Sequence, residues 1–349
     1  MEKKTQKRRS PLLIAFFILI GITLILCAAV FGLWVHGRNS LSQAAEAPVL
    51  PQVQTSEEPS GDFVEYKGTR YRYNENMRNI LLLGIDSDEM PSSTAKSDDQ
   101  ADVLVLAALN LDSNQMTLIS VSRDTMCDIA ILEDDQHLQG VAHTQIALSY
   151  AYGDGLNVSC ELCREAVSTL FRGLEIDGYG AFFLGGLSKL NDVLGGVTVT
   201  VPEDLPFEMA AFRGMTPGGT VTLTGDQARA FIQWREEDAA GNDSRMQRQK
   251  QFLLSAISQL RQQIRSNPAS VLSIYNAVSG YVLTDLDLSR IAYLATEAAG
   301  MDFSGDILRV PTGEGTVSAD QHLELPVDEE GLNDLILSVF YEELTPDAE

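Results

Sequence analysis

Three short apolar runs set the frame for the whole chain, because each is bounded by a charged residue, at the end of the first and third and at the start of the second. Asn79 to Ile85 runs into Asp86, Val103 to Leu109 begins directly after Asp102, and Met116 to Val121 is followed by Arg123-Asp124. Runs this short with no polar alternation have the pattern of strands buried on both faces. The turn Asp112-Ser113-Asn114 joins the second to the third, and a meander would bring Asp86, Asp102 and Arg123 to one rim of a sheet. Two carboxylates side by side repel unless a cation lies between them, and hard oxygen ligands beside phosphate suit Mg2+. The plainer reading is that each aspartate ends a strand or caps a turn.

Helical and extended patterns alternate through the remainder. Helices are predicted over Gln145–Tyr152, Ser159–Phe171, Asp226–Trp234, Ser244–Ser266, Ala269–Ser279, Leu288–Ala299 and Glu330–Tyr341, with strands at Tyr179–Leu184, Val197–Val201, Thr220–Leu223 and Asp306–Val310. Thr224 with Gln227 makes a capping box. The glycine pairs at 185–186 and 195–196 punctuate turns and lack the sequence of a phosphate-cradling loop. Interleaved strands and helices predict an α/β fold, a mixed central sheet with helices on both faces.

A cationic cluster stands out in the segment Phe231 to Gln249. Arg245, Arg248 and Gln249 fall at i, i+3 and i+4, on one helix face. Placed in the first turn, the two arginines would oppose the macrodipole unless an anion sits there too. With Arg235 upstream they form a candidate socket for phosphate or diphosphate. Solvated surface arginines are the alternative.

Lys3, Lys4, Lys7, Arg8 and Arg9 precede an unbroken apolar stretch over 11–35, long enough to cross a bilayer. The charge asymmetry puts residues 1–10 in the cytoplasm as a basic tail, the span at 11–35 with Trp34 at the far interface, and everything later outside. A cleaved leader ending near Ala45-Glu46-Ala47 is a competing reading, though the apolar stretch is longer than a leader core usually is. A lipoprotein reading at Cys27 fits less well. Residues 36–77 are rich in Ser, Glu, Gln and Pro and read as an extracytoplasmic linker, leaving 78–345 as the folded domain. The formal net charge of -24 disfavours nucleic acid as a partner. An oxidising compartment permits a disulfide from Cys127 to Cys160 or Cys163. The four histidines are scattered and no nucleophile elbow is present, so neither a Ser-His hydrolase nor a zinc site is indicated.

GIDS at 84–87, ADVLVL at 101–106, SVSRDT at 120–125, TQIALSYAYGDG at 144–155, LGGVTVTVP at 194–202, LTGDQARAFIQWR at 223–235 and RMQRQK at 245–250 occur in the order and rough spacing of the LytR-CpsA-Psr family, which the chain resembles over roughly 78–265. The resemblance implies a membrane-anchored phosphotransferase. Such an enzyme moves an anionic glycopolymer, of teichoic acid or capsule type, from a polyprenyl-diphosphate carrier to peptidoglycan. It implies that Asp86 and Asp102 hold Mg2+, that Arg123, Arg235, Arg245 and Arg248 with Gln249 grip the diphosphate, and that Asp124 orients Arg123. Asp86 or Asp124 would be the general base, and an apolar tunnel between sheet and helices would take the prenyl tail. Gln100 and Gln233 stand where the family often carries arginine. That departure implies a second possibility, a non-catalytic binder of prenyl phosphate or glycopolymer. The transcriptional attenuation attached historically to such proteins fits poorly with an acidic domain outside the membrane.

Overall fold

The structure, a computed structural model, describes residues 32–41, 54–56, 63–92, 99–133, 137–234, 239–319 and 322–344. A helix over 32–40 (α1) comes first. Strands β1 (Gln54–Ser56), β2 (Phe63–Tyr66) and β3 (Thr69–Tyr73) follow. The stretch expected as linker is therefore partly folded. Phe63 and Val64, neighbours in the chain, are both buried, and the charged and polar residues around them give the stretch the composition of a linker.

The meander is present as β4 (Met77–Ile85), β5 (Ala101–Asn110) and β6 (Gln115–Val121). Next come β7 (Met126–Leu132) and β8 (Leu138–Gln145), then α2 (Leu148–Ala151), α3 (Asn157–Leu170), β9 (Gly178–Phe183), α4 (Leu187–Val193), β10 (Thr198–Thr200), β11 (Thr220–Thr222) and α5 (Gly225–Gln233). The chain continues with α6 (Ala239–Ser266), α7 (Ser270–Val278), β12 (Val282–Thr284), α8 (Leu288–Gly300), β13 (Ile307–Arg309), β14 (Thr316–Val317), β15 (Leu323–Glu324), α9 (Glu329–Phe340) and β16 (Tyr341–Leu344). The β7–β8 ribbon was not anticipated, and the helix predicted to begin at Gln145 starts three residues later because that residue ends β8.

Six strands in the order β12-β9-β4-β5-β6-β13 form the central sheet. The β4–β5, β5–β6 and β9–β12 pairs are antiparallel, whereas β4–β9 and β6–β13 are parallel, so the sheet is mixed. Both faces are covered by helices. On one face Leu81, Leu83, Ile85, Leu104, Leu106 and Ile119 join Tyr150, Val167, Phe171, Ile336 and Phe340 from α2, α3, its C-cap and α9. On the other Ile80, Val105, Leu109, Met116 and Leu118 pack with Tyr293 and Leu294 of α8 and with Leu41. Each fully buried large apolar side chain contributes roughly 1.5–3 kcal/mol. A third apolar cluster, built on Phe212, Val197, Leu223, Phe231 and Phe252, holds α4, α5 and α6 together beside the sheet.

The Thr224–Gln227 capping box starts α5 as the sequence predicts. At the far end of α8, Arg261 and Arg265 of α6 donate to the carbonyls of Ala298, Ala299, Gly300 and Met301, which the helix itself leaves unsatisfied. Cys127, Cys160 and Cys163 are buried free thiols, so the permitted disulfide is not formed. Cys160 and Cys163 point into the core from α3, and the Ser149 hydroxyl lies 3.2 Å from the Cys163 sulfur. Among the described residues no helix is long and apolar enough to cross a membrane. The span predicted at 11–35 lies outside them except for its last four residues.

Candidate functional site

The carboxylate of Asp102 is placed by an irregularity that alternation alone does not predict. Along the β4–β5 seam Gly84 faces Val103 and Ile85 faces Ala101, so Asp102 is an extra residue on β5. Such a bulge reverses the in-and-out parity of the strand. Ala101 and Leu104, three apart, consequently belong to the same core cluster. Asp102 is thus left out of that core, half-buried at the rim.

Arg123 follows the end of β6 and its Nη1 bonds to the Asp102 carboxylate. Its Nη2 donates to Gln100 Oε1 at 2.5 Å, and its Nε lies 3.9 Å from Asp124 Oδ1. Asp124 is itself held by the amide of Gln145 at 3.1 Å. Asp86, exposed, stands just beyond the end of β4. Burial raises the Asp102 carboxyl, the adjacent Arg123 charge lowers it, and the negative charge of Asp86 raises it further. The positive charge of Arg245 also reaches Asp102 and pulls the other way. Asp124 is likewise raised by burial, against Arg123 and His322. Asp86, Asp102 and Arg123 therefore share one electrostatic neighbourhood, as the meander predicts, and the charge of Arg245 reaches it from α6, which the meander does not predict.

The remaining cations divide. Arg235 lies outside the described residues. Arg248 is 2% exposed and is spent on the protein itself. Its Nε donates to Phe231 O at 2.9 Å, Nη2 to Trp234 O, and Nη1 to Ser244 Oγ at 2.6 Å, with Asp204 Oδ2 at 3.3 Å. It closes the unsatisfied end of α5 against α6, with its guanidinium 5.0 Å from the Trp234 ring centre. Gln249, exposed, donates to Ile232 O at 3.1 Å. Helix α6 begins at Ala239, ahead of the predicted Ser244. Arg245 and Arg248 are accordingly beyond the first turn, and the macrodipole argument does not apply to them.

Two features escaped the sequence reading. Arg229 of α5 forms an ion pair with Asp88, in the loop after β4, and bonds to Gln233 Oε1 at 3.1 Å. The i, i+4 spacing of Arg229 and Gln233 was the available signal. The other is apolar surface. Leu82 and Val103, on the α8-covered face of the sheet, remain 41% and 49% exposed. Gly84 opposite leaves this strip unobstructed, since a Cβ there would lie 2.9 Å from Val103 Cβ. On α6, Met246 and Leu253 are exposed apolar residues seven apart, and Ile257, four further on, packs on the cluster of Ile80 and Val105. An apolar strip thus leads from the charged rim onto the sheet. Among the described residues no cluster of three or more His, Cys, Asp or Glu side chains could hold a metal.

The LytR_cpsA_psr family model matches residues 41–321. The polyisoprenyl-teichoic acid--peptidoglycan teichoic acid transferase TagU of Oceanobacillus iheyensis is 29% identical over 64% of this chain and 63% of its own length. Protein gbs0355 from Streptococcus agalactiae superposes with a TM-score of 0.60 at 22% identity, covering 76% of this chain and 86% of that one. TagT bound to LI-WTA gives 0.55 at 18% identity, covering 76% and 89%. These two structures share the fold.

Proposed function

The chain belongs to the LytR_cpsA_psr family, and from that premise we propose that it is a glycopolymer transferase of the bacterial cell envelope. It takes an anionic glycopolymer of teichoic acid or capsule type from a polyprenyl-diphosphate carrier and joins it to a peptidoglycan hydroxyl. Residues 11–35 are its single membrane span, with the N-terminus in the cytoplasm and the folded domain outside. The relative named as a teichoic acid transferase supports the substrate class.

One observation carries the reading. A rim where Asp86, Asp102, Arg123 and Arg245 interact opens onto exposed apolar Leu82 and Val103, which matches a ligand that is a diphosphate at one end and an isoprenoid at the other. The acceptor oxygen attacks the glycan-side phosphorus, the bond to the bridging oxygen breaks, and polyprenyl phosphate leaves. Such a transfer needs charge neutralisation and alignment above all. Arg123 and Arg245 supply fixed positive charge, and Gln100 and Asp124 orient the Arg123 fork. A guanidinium resting on Asp102 is a ready ligand for an entering phosphate, because the exchange trades one anionic partner for another.

Mg2+ fits the two carboxylates. It keeps water and substrate oxygens in its shell and is commonly held by only one or two protein carboxylates, and Asp102 feels the charge of Asp86. When bound, it supplies further neutralisation of the diphosphate oxygens. Asp86 and Asp124 are the rim carboxylates available to accept the proton that the hydroxyl loses. The test is incubation of the purified full chain with Mg2+, a lipid-linked teichoic acid precursor and peptidoglycan oligomers. Polymer transfer is expected, and Asp102→Ala is expected to abolish it; transfer that survives this change sinks the site assignment.

A further inference from the structure

Helix α1 and Leu41 after it are fastened to α8 and the sheet by contacts of several kinds. Gly37 is buried against α8 so closely that a Cβ there would lie 2.2 Å from the carbonyl oxygen of Ser289 and 2.9 Å from Tyr293 Cβ. Trp34 packs edge-on against Tyr293, with ring centres 5.7 Å apart and planes at 63°. Tyr293 is 4% exposed and Leu41 is 7% exposed, both within the cluster that covers the sheet. Arg290 Nε donates to Ser40 Oγ at 3.1 Å, and that hydroxyl donates to Gly37 O at 2.9 Å.

We propose that residues 34–41 are a docked stalk, which holds the catalytic domain against its membrane anchor in one orientation in place of a flexible tether. The inference rests on the reading of residues 11–35 as a membrane span. Trp34 and residue 35 belong to the end of that apolar stretch, so the chain passes from bilayer to domain within a few residues. Residues 42–53 then connect two points already on the domain, Leu41 in the core and β1, which pairs with β2. Their length sets no distance between membrane and site. The stalk is on the same sheet face as exposed Leu82 and Val103, since Ile80 and Val105, which Leu41 joins, each stand two residues from one of them along β4 and β5. Docking therefore fixes the apolar strip relative to the bilayer that supplies an isoprenoid ligand.

The test uses the full chain in lipid nanodiscs, with amide exchange read over residues 36–41. Wild type is expected to exchange there at least ~10-fold more slowly than Gly37→Leu, whose side chain has no room, in line with loss of local protection. Leu41→Ser, a milder change, is expected to move in the same direction if Gly37→Leu destabilises the domain. Ten Gly/Ser residues inserted after Ala47 are expected to leave the protection unchanged. Flotation with liposomes is scored separately. Failure to float overturns the membrane reading and the stalk with it. Flotation with 36–41 exchanging as fast in wild type as in Gly37→Leu overturns the stalk alone.

Discussion

Arg123 reaches across from the end of β6 to close on Asp102, the one residue of β5 that has no partner opposite it on β4. Each holds the other where a substrate phosphate and a cation would replace them. Arg123→Lys keeps the charge but not the planar fork that serves Asp102 and Gln100 together. Transfer is expected to fall by about 10–10² for lysine and about 10²–10³ for alanine. Steady-state kinetics with a lipid-linked precursor decides it.

Arg248 should behave in the opposite way. Its loss leaves the carbonyls of Phe231 and Trp234 without their donors in a buried place, costing about 2–4 kcal/mol. Arg123, with its side chain 44% exposed, should cost less than about 1 kcal/mol on truncation. Urea unfolding of Arg248→Ala and Arg123→Ala measures the contrast; equal stabilities would mean that Arg248 is not a brace.

The pH dependence of stability has a named contributor in Asp177. Burial pushes its carboxyl from 3.8 to about 6, over the opposing pull of the Asn79 N–H and of Arg78. The folded chain thus holds a proton that the unfolded chain has released. This contribution is fully present below about pH 4 and lost as pH rises through about 6. Asp177→Asn keeps an acceptor for Asn79 and should flatten the stability profile in that window by on the order of 2 kcal/mol. Thermal melts at closely spaced pH values give the comparison.

The thiols of Cys127 and Cys163 are pushed up to about 12 by burial, and that of Cys160 is raised as well. Thiolate is the reactive form. Peptide mapping after treatment with a maleimide at pH 7.5 should find all three unmodified in the native protein and modified in urea. Native labelling of any of them would show that this core opens.

Val103→Gln replaces an exposed apolar side chain, so stability should change by less than about 0.5 kcal/mol. If the strip receives an isoprenoid tail, the same change should lower the amount of prenyl phosphate that comes through purification from membranes. Mass spectrometry of the extracted lipid reads this directly; undiminished lipid would place the tail elsewhere.

Much of this was legible in the chain because the signals are local. The three apolar runs and their terminal charges located β4, β5, β6 and the rim that gathers Asp86, Asp102 and Arg123, and Thr224 with Gln227 located the start of α5. What escaped depends on distant partners. Strand β3 pairs with β16 from the far end of the chain and with β2 on its other side, and the residues of β2 and β3 themselves look like linker. Spacing put Arg248 on the face of Arg245, but only tertiary packing shows that its hydrogen bonds are taken by α5. The bulge was invisible for the same reason, since it exists only in the register between two strands.

That bulge makes the length of β5 part of the chemistry. Removing one residue between Ala101 and Leu104 would restore simple alternation and leave a single outward place where Asp102 and Val103 now both stand, so the rim would lose either its carboxylate or the apolar neighbour beside it. Loops in this protein can lengthen at small cost, but here a change of one codon triplet would be a change of reactivity.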